Sequence, residues 1–364
     1  MPEHDHRRRR DWRRRRKTGE GGLARVDGED TVERNHTAAG AEAEAMAQKP
    51  GAKRLGRQAD TPGQIPWPGW WAVIRRTARE AVSDRISLIS AGCAFWATLA
   101  LFPAISMLIF IYGLAFDPAT AEPQLQVIAR FLPPAAFTLI SDRVHVLVEQ
   151  RQSALGLGLL ISTIVALWSS ANSTKALLSA LNIAYEEQER RGFFRYQFVA
   201  LALTLCAILA AVLAIAILVF MPVVIAFLGI SSHTKLLLRI GGLVVLVIFV
   251  LLSLSLLYRF GPHREQARWH WITPGSLLST VLWLGASALF TIYVSDLANY
   301  DATYGPLGAV VAVMMWFWVS VYAVMLGAEL NSELELQTAR DTTNGPAKPI
   351  GERGAYVADH VAED

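Results

Sequence analysis

An all-α membrane bundle that crosses the bilayer six times is the fold class this sequence predicts, and three observations carry the prediction. Apolar residues make up 53% of the 364 residues, with 11 Trp and only 18% charged residues, a balance shifted from soluble domains towards membrane proteins. Those apolar residues fall into six stretches, each reaching the roughly 20 helical residues that the hydrocarbon layer requires at a rise of ~1.5 Å per residue. The charges lie elsewhere. More than half of the Lys and Arg precede Cys93, so a net charge of +3 conceals a very basic amino-terminal quarter joined to a nearly uncharged body.

Residues 1–68 show almost no apolar periodicity and contain the run Arg7 to Lys17, RRRRDWRRRRK, among Gly, Ala, Glu and Pro. Such a segment cannot bury enough apolar surface to offset its ordering entropy, so a disordered cytoplasmic tail is expected. The Arg run suits anionic lipid headgroups, each Arg near the surface contributing about 1 kcal/mol. Phosphate charge alone would also draw nucleic acid, without sequence specificity. The plain alternative is a solvated tail that obeys the positive-inside rule. The first apolar run starts far into the chain and is long enough to span, so no cleavable signal peptide is expected.

Trp67, Trp70 and Trp71 end the tail with side chains that favour a membrane-water interface. Beyond them Val73, Ile74, Thr77, Ala81 and Val82 recur at helical spacing against Arg75, Arg76, Arg79 and Arg85. This predicts an amphipathic helix on the inner headgroup layer. The six-span domain, with this helix at its start, is expected over 69–336, and a disordered cytoplasmic carboxy-terminal tail over 337–364.

The spans are expected at about 89–116, with Pro103 mid-span, from 154 with helix continuing to about Glu189, and at 198–228, 236–258, 271–294 and 306–328. The last has Pro at its first turn, where no internal hydrogen bond is lost. It carries no ionisable side chain from Pro306 to Ala328 and ends in Glu329, Asn331, Glu333 and Glu335. The polar stretch 117–153 is too short and too charged to cross, and is expected to pack on the outer surface or to re-enter shallowly. Six spans put both termini on one side. Lys175, Arg190, Arg191, Arg195, Arg259, Arg264 and Arg268 then occupy the same side as the basic tail, which is cytosolic by the positive-inside rule. Gly158 with Ser162, Gly275 with Ser279, and Gly308 with Ala312 place small residues four apart, which permits close helix approach. Cys93 and Cys206 are expected as small buried side chains, since two such positions make no disulfide framework.

No ionisable side chain falls at mid-depth of any apolar stretch, which argues against proton-coupled carriage through a midplane carboxylate, voltage sensing and intramembrane hydrolysis. Polar residues gather at the inner ends instead. Asn172, Lys175, Ser179, Asn182 and Glu186 are spaced by three and four and form one helical stripe. Lys175 is expected at a depth similar to Glu329, so a Lys175 pair with Glu329 or Glu186 is predicted, with Asn172, Asn182 and Asn331 filling remaining hydrogen bonds. This set reads as a polar latch or as a vestibule for a substrate or headgroup. Asp296, Asn299, Tyr300, Asp301 and Tyr304 crowd one outer loop and read as a solvated turn. With no phosphate-cradling glycine loop, nucleophile elbow or Cys/His metal spacing, neither a catalytic residue, a metal nor a cofactor is assigned.

Ala94 Phe95 Trp96 with Leu101 Phe102 Pro103, the segment Trp168 to Tyr185, Arg268 Trp269 His270 Trp271 with Pro274 Gly275, and Tyr304 Gly305 with Leu307 Gly308 Ala309 through Leu326 Gly327 Ala328 Glu329 Leu330 Asn331 resemble the YihY/BrkB family. The resemblance covers roughly Arg75 to Leu336, and Pro306 stands where a small residue is expected. It implies a six-span protein of the bacterial cytoplasmic membrane, associated in some members with envelope properties and resistance to host killing. Part of the family once carried the label ribonuclease BN, which the missing cluster of His and Asp metal ligands does not support. The function expected is the movement or positioning of an envelope lipid or other amphiphile through a neutral polar inter-helix cavity, with membrane lipids as partners. The alternatives are a scaffold without transport activity and, more distantly, an inner-leaflet enzyme. Oligomeric state is not legible in the sequence.

Overall fold

The computed structural model describes residues 52–115, 152–227, 232–293 and 306–362. The described residues form α1 (Ala52–Leu55), a 3-10 turn (Pro62–Gln64), α2 (Trp67–Ser83), α3 (Ile86–Ala115), α4 (Gln152–Ala184), α5 (Phe193–Phe227), α6 (Ser232–Phe260), α7 (Trp269–Ile292), α8 (Pro306–Leu336) and α9 (Tyr356–Asp359). No strand occurs among them beyond an isolated antiparallel bridge between Ala267 and Thr343. Helices α3 to α8 are the 6 that are long and apolar enough to cross a membrane. They match the six predicted spans, and Pro103 lies inside an unbroken α3. The predicted outer-surface stretch 117–153, apart from the start of α4, and the acidic-tyrosine loop near 296–304 lie outside the described residues, as do residues 1–51.

The helix continuing from the second span ends at Ala184, short of the expected Glu189. Glu186 turns out of it with φ of 56°, and the N–H groups of Glu186 and Glu187 fold back to Ile183 O and Asn182 O. That closure satisfies carbonyls a helix end would otherwise leave open.

The chain forms two compact units. The first contains the described residues up to Thr77, Arg264–Trp271 and Leu330 onward. Here the expectation of disorder over 337–364 is corrected for the described residues 337–362. Thr342 and Val357 are fully buried, Ala339 N–H donates to Arg57 O at 2.9 Å, and Ala362 N–H donates to Leu336 O at 2.9 Å. Residues 52–68, expected to continue the disordered tail, are ordered in the same way. Gln337 Nε2 donates to Leu55 O at 2.6 Å, and Thr338 Oγ1 donates to Ala59 O at 2.7 Å. Polar sequence hid both segments, because hydrogen bonds to backbone atoms of remote segments hold them beside a few small apolar residues.

The second unit contains Ala78–His263 and Ile272–Glu329. Within it α3 packs on α4, α4 on α5 and α5 on α6. Ser255 of α6 donates to Ser276 Oγ of α7 at 2.9 Å, and Ser279 of α7 donates to Ala323 O of α8 at 2.8 Å. Trp318 Nε1 of α8 reaches Ser87 O of α3 at 3.0 Å. The spans therefore follow one another in a closed circuit.

Burial along these helices is uneven. Leu178, Leu181, Tyr185, Tyr258 and Ile272, near the 185–192 and 261–268 connections, are fully buried. Towards the opposite ends Phe102, Leu160, Leu243, Leu289 and Met315 are exposed. Helix α2 also differs from its sequence pattern. Val73, Thr77 and Ala81 turn into the protein, whereas Ile74 and Val82, expected on the same face, point outward.

Candidate functional site

The predicted polar stripe of α4 is only partly brought together. Lys175 Nζ donates to Asn172 Oδ1 at 3.4 Å, and the Lys175 carbonyl accepts from Tyr196 Oη at 3.0 Å. Among the described residues Lys175 bonds Asn172, and no ion pair joins it to Glu329 or to Glu186. Ser179 is exposed, and Glu186 leaves the stripe because its backbone turns away. Glu329 is buried, 2% exposed, and Asn331 is fully buried.

Asn182 is the member of the set that ties segments together. Its Nδ2 donates to Glu189 Oε2 at 2.9 Å, and its Oδ1 accepts from His263 N–H at 2.8 Å. Arg191 completes this latch by donating to both Gly261 O and Pro262 O at 3.0 Å, with Glu189 beside it at 3.6 Å. A Cβ on Gly261 would lie 2.7 Å from Leu181 Cδ1 and 2.6 Å from Leu257 O, so only Gly lets the end of α6 meet the end of α4 this closely. These two helices are not neighbours in the circuit, since α5 intervenes. Their meeting therefore bypasses α5 and ties the connections after α4 and α6 together. Sequence reading singled out Asn182 but missed Glu189 and Gly261, whose roles depend on a contact between distant connections.

A second knot joins α6, α7 and α8. Tyr258 Oη donates to Val324 O at 2.7 Å and lies 2.7 Å from Ser279 Oγ. A Cβ on Gly327 would fall 2.0 Å from Ser279 Oγ and 2.4 Å from Gly275 O. The predicted small pair Gly275 and Ser279 thus meets a third small residue across the interface. Further along, Trp283 Nε1 donates to Ser320 Oγ at 3.1 Å and Trp316 Nε1 to Ser287 Oγ at 3.3 Å. Cys93 is buried as expected, but Cys206 is exposed on α5; both are free thiols.

One carboxylate group has metal-like geometry. Glu80, Asp84 and Glu186 bring oxygen atoms within 4.8 Å of one another, and these are the described residues that could hold a cation. The sequence pattern did not suggest them, since Glu186 comes from a connection remote in the chain.

The first unit concentrates charge at the end of α8. Arg76 Nε meets Glu333 Oε2 at 2.5 Å, and its Nη2 donates to Gln337 Oε1 at 2.6 Å. Arg264 and Glu335 pair at 2.6 Å with side chains 1% and 0% exposed, and Thr342 Oγ1 donates to Glu335 Oε2 at 2.7 Å. Arg353 donates to the carbonyls of Ala339, Arg340, Lys348 and Ala358. Burial pushes the Asp341 carboxyl up. Hydrogen bonds from Lys348 N–H and from the Thr343 hydroxyl and N–H, with Arg353 nearby, outweigh it and hold the group below the ordinary carboxylate range.

Comparison with known proteins gives a consistent result. The family described as Virulence factor BrkB matches residues 77–351. The chain is 31% identical over 255 residues to the ribonuclease-like protein YfkH of Bacillus subtilis (strain 168), covering 67% of this chain and 88% of that protein. It is 26% identical over 308 residues to a UPF0761 membrane protein of Alkalilimnicola ehrlichii, covering 79% of this chain and 63% of the relative. A UPF0761 membrane protein of Pseudoalteromonas translucida is 21% identical over 282 residues, covering 76% of this chain and 89% of the relative. No solved structure matches.

Proposed function

The chain belongs to the BrkB virulence-factor family of membrane proteins, and from that premise we propose that it moves or positions an envelope lipid or similar amphiphile in the bacterial cytoplasmic membrane. The observation that carries this reading is the uneven burial along α3 to α8. In the most apolar 18-residue stretch of each span only 11% to 28% is buried, and among the described residues the large buried side chains gather near the latched end. Beyond the latch, residues 157–165 of α4, 243–254 of α6 and 281–292 of α7 are exposed or half-buried, and so leave apolar surface uncovered by protein. That surface of Leu, Ile, Phe and Met is one that acyl chains of the surrounding bilayer can cover.

Hydroxyls that could have lined a neutral polar cavity are engaged between helices, as in Ser255 with Ser276 and Tyr258 with Ser279. The apolar part of the cargo is therefore the part this reading places between the helices. The activity is taken as non-enzymatic, because the polar side chains of the latched end bond one another and adjacent backbone. Placement of both termini on the cytoplasmic side is supported by the hydrogen bond from Ala339 to Arg57 between the segments that flank the first and last spans. Basic connections on that side agree with it.

The test is reconstitution of the full chain into vesicles carrying a fluorescent phosphatidylglycerol, followed by bleaching from outside. The expected result is loss of fluorescence beyond the outer-leaflet fraction seen in protein-free vesicles. Loss of the outer fraction alone, with correctly inserted protein, overturns the reading. That outcome favours a scaffold, for which the Gly327 knot speaks because it fixes three helices without leaving space between them.

A further inference from the structure

The geometry points to α2 as a docking helix for an anionic lipid surface, through a face different from the one its sequence pattern suggests. The contact is separate from whatever the six spans carry. At about 100° per residue, Trp67, Trp71, Ile74, Ala78 and Val82 fall on one strip of the helix, and Arg75 and Arg79 fall directly beside it. The side chains agree with that projection. Trp67 is 73% exposed, Trp71 61%, Ile74 42% and Val82 77%, and Arg75 and Arg79 are exposed with them. Along the flank next to the strip Val73, Thr77 and Ala81 are buried, and on the far side Arg76 is held by Glu333 and Gln337. The helix thus has one face fixed to the protein and a second apolar strip left outside.

Charge and connection name the occupant. The strip is rimmed by Arg75 and Arg79, and exposed Arg85 follows one residue after Asp84, so its complement is apolar at the centre and anionic at the edge. A bilayer rich in phosphatidylglycerol has that profile, with phosphates above and acyl chains below. Only Asp84 and Arg85 separate the end of α2 at Ser83 from the start of α3 at Ile86. Since α3 enters the membrane, α2 is tethered at its surface, and ordering it there costs little beyond what folding has already fixed. Two Trp at the start of the strip suit the carbonyl depth of the interface.

The test uses the full chain with Cys93→Ser and Cys206→Ser, spin-labelled singly at Ile74→Cys, Val82→Cys or Ser83→Cys, one copy per nanodisc. With phosphatidylglycerol in the disc, labels at Ile74→Cys and Val82→Cys are expected to collide more with oxygen than with a water-soluble nickel reagent, and Ser83→Cys the reverse. Combining Arg75→Gln, Arg79→Gln and Arg85→Gln is expected to raise nickel access at the strip and to lower co-purified phosphatidylglycerol, each Arg by up to about fivefold. Equal aqueous access at all three labels overturns the proposal. So does immersion that is the same in purely zwitterionic discs and insensitive to the triple change. Protection seen only when two copies share a disc assigns the strip to a second copy instead, and overturns it as well.

Discussion

In the unit built from residues 52–77, 264–271 and 330–362, buried side chains meet as ions, whereas in the six-helix unit the contacts between spans are neutral. Arg264 meets Glu335 and Arg76 meets Glu333 in the first. Ser255 meets Ser276, Tyr258 meets Ser279, and Gly327 lies against Gly275 and Ser279 in the second. The difference follows from what surrounds each unit when it is not yet packed. An ionised group in the hydrocarbon costs about 2.5 to 3.5 kcal/mol before it finds a partner. A hydroxyl can bond its own helix meanwhile, as Ser276 does to Ile272 O at 3.1 Å. Outside the hydrocarbon, water stabilises charges until they pair, and the close charge-assisted contacts then fix which segments meet. Charge therefore specifies partners in one unit, and close fit does so in the other.

The largest effect that would sharpen this contrast is expected from Glu335→Ala. It leaves the Arg264 guanidinium buried without its carboxylate, at a cost of about 3 to 5 kcal/mol. Hydrogen exchange should rise across 264–271 and 337–362 and change little in α3 to α6. Replacing the pair together by Arg264→Met and Glu335→Leu should recover much of the loss, since neither charge is then stranded. If Glu335→Ala leaves exchange in both segments unchanged, ions do not hold this unit.

Gly327→Ala is expected to come next, in the neutral unit. The new Cβ meets backbone at Gly275 O, which cannot swing aside, so overpacking of about 1 to 3 kcal/mol is expected as a lower melting temperature in detergent. Gly285→Ala is the control, since its Cβ meets nothing within 4 Å on a helix of the same unit. Similar melting of the two variants would break the claim that fit specifies the contacts of α7 and α8. Tyr258→Phe is milder. It removes the bond to Val324 O and the oxygen that lies against Ser279 Oγ but keeps the ring, and Ser279 still donates to Ala323 O. About 1 kcal/mol is expected, in the range for interhelical hydrogen bonds in membranes.

The two units also differ in how legible they were. Span number and approximate limits followed from apolar run length, because a bilayer of fixed thickness imposes that length on any spanning helix. Gly275 and Ser279 were readable for a similar reason, as small residues one turn apart announce a close approach. The first unit was largely hidden. Thr338, Asp341, Thr342 and Arg353 look like a solvated tail by composition, yet their bonds go to backbone atoms of segments far apart in the chain, which no local period encodes. Lys175 shows the same limit from the other side. Its depth relative to Glu329 was inferred from residue counts along two helices, but rotation about each helix decides whether the side chains meet, and counts carry no rotation. Glu186 failed for a backbone reason, its positive φ ending the stripe that spacing implied.

Acid should separate the units with the smallest perturbation. The Asp341 carboxyl is held below the ordinary carboxylate range, its burial outweighed by donors from Lys348 and Thr343 and by Arg353. A group whose folded pKa is depressed contributes stability that is fully present above its unfolded value, near the ordinary Asp value of about 3.9, and that is lost as pH falls through the folded value. Exchange of the Thr343 and Lys348 amides, which donate to Asp341 at 2.9 and 2.8 Å, should therefore rise as pH drops below about 4, once corrected for the intrinsic rate. Asp341→Asn should flatten that response, because an amide oxygen still accepts but no longer titrates, while the Tyr258 and Gly327 contacts should show no acid dependence in either protein. A rise of equal size in the variant would assign the acid response to another carboxylate, and a matching rise around Gly327 would erase the distinction between a unit held by ions and one held by fit.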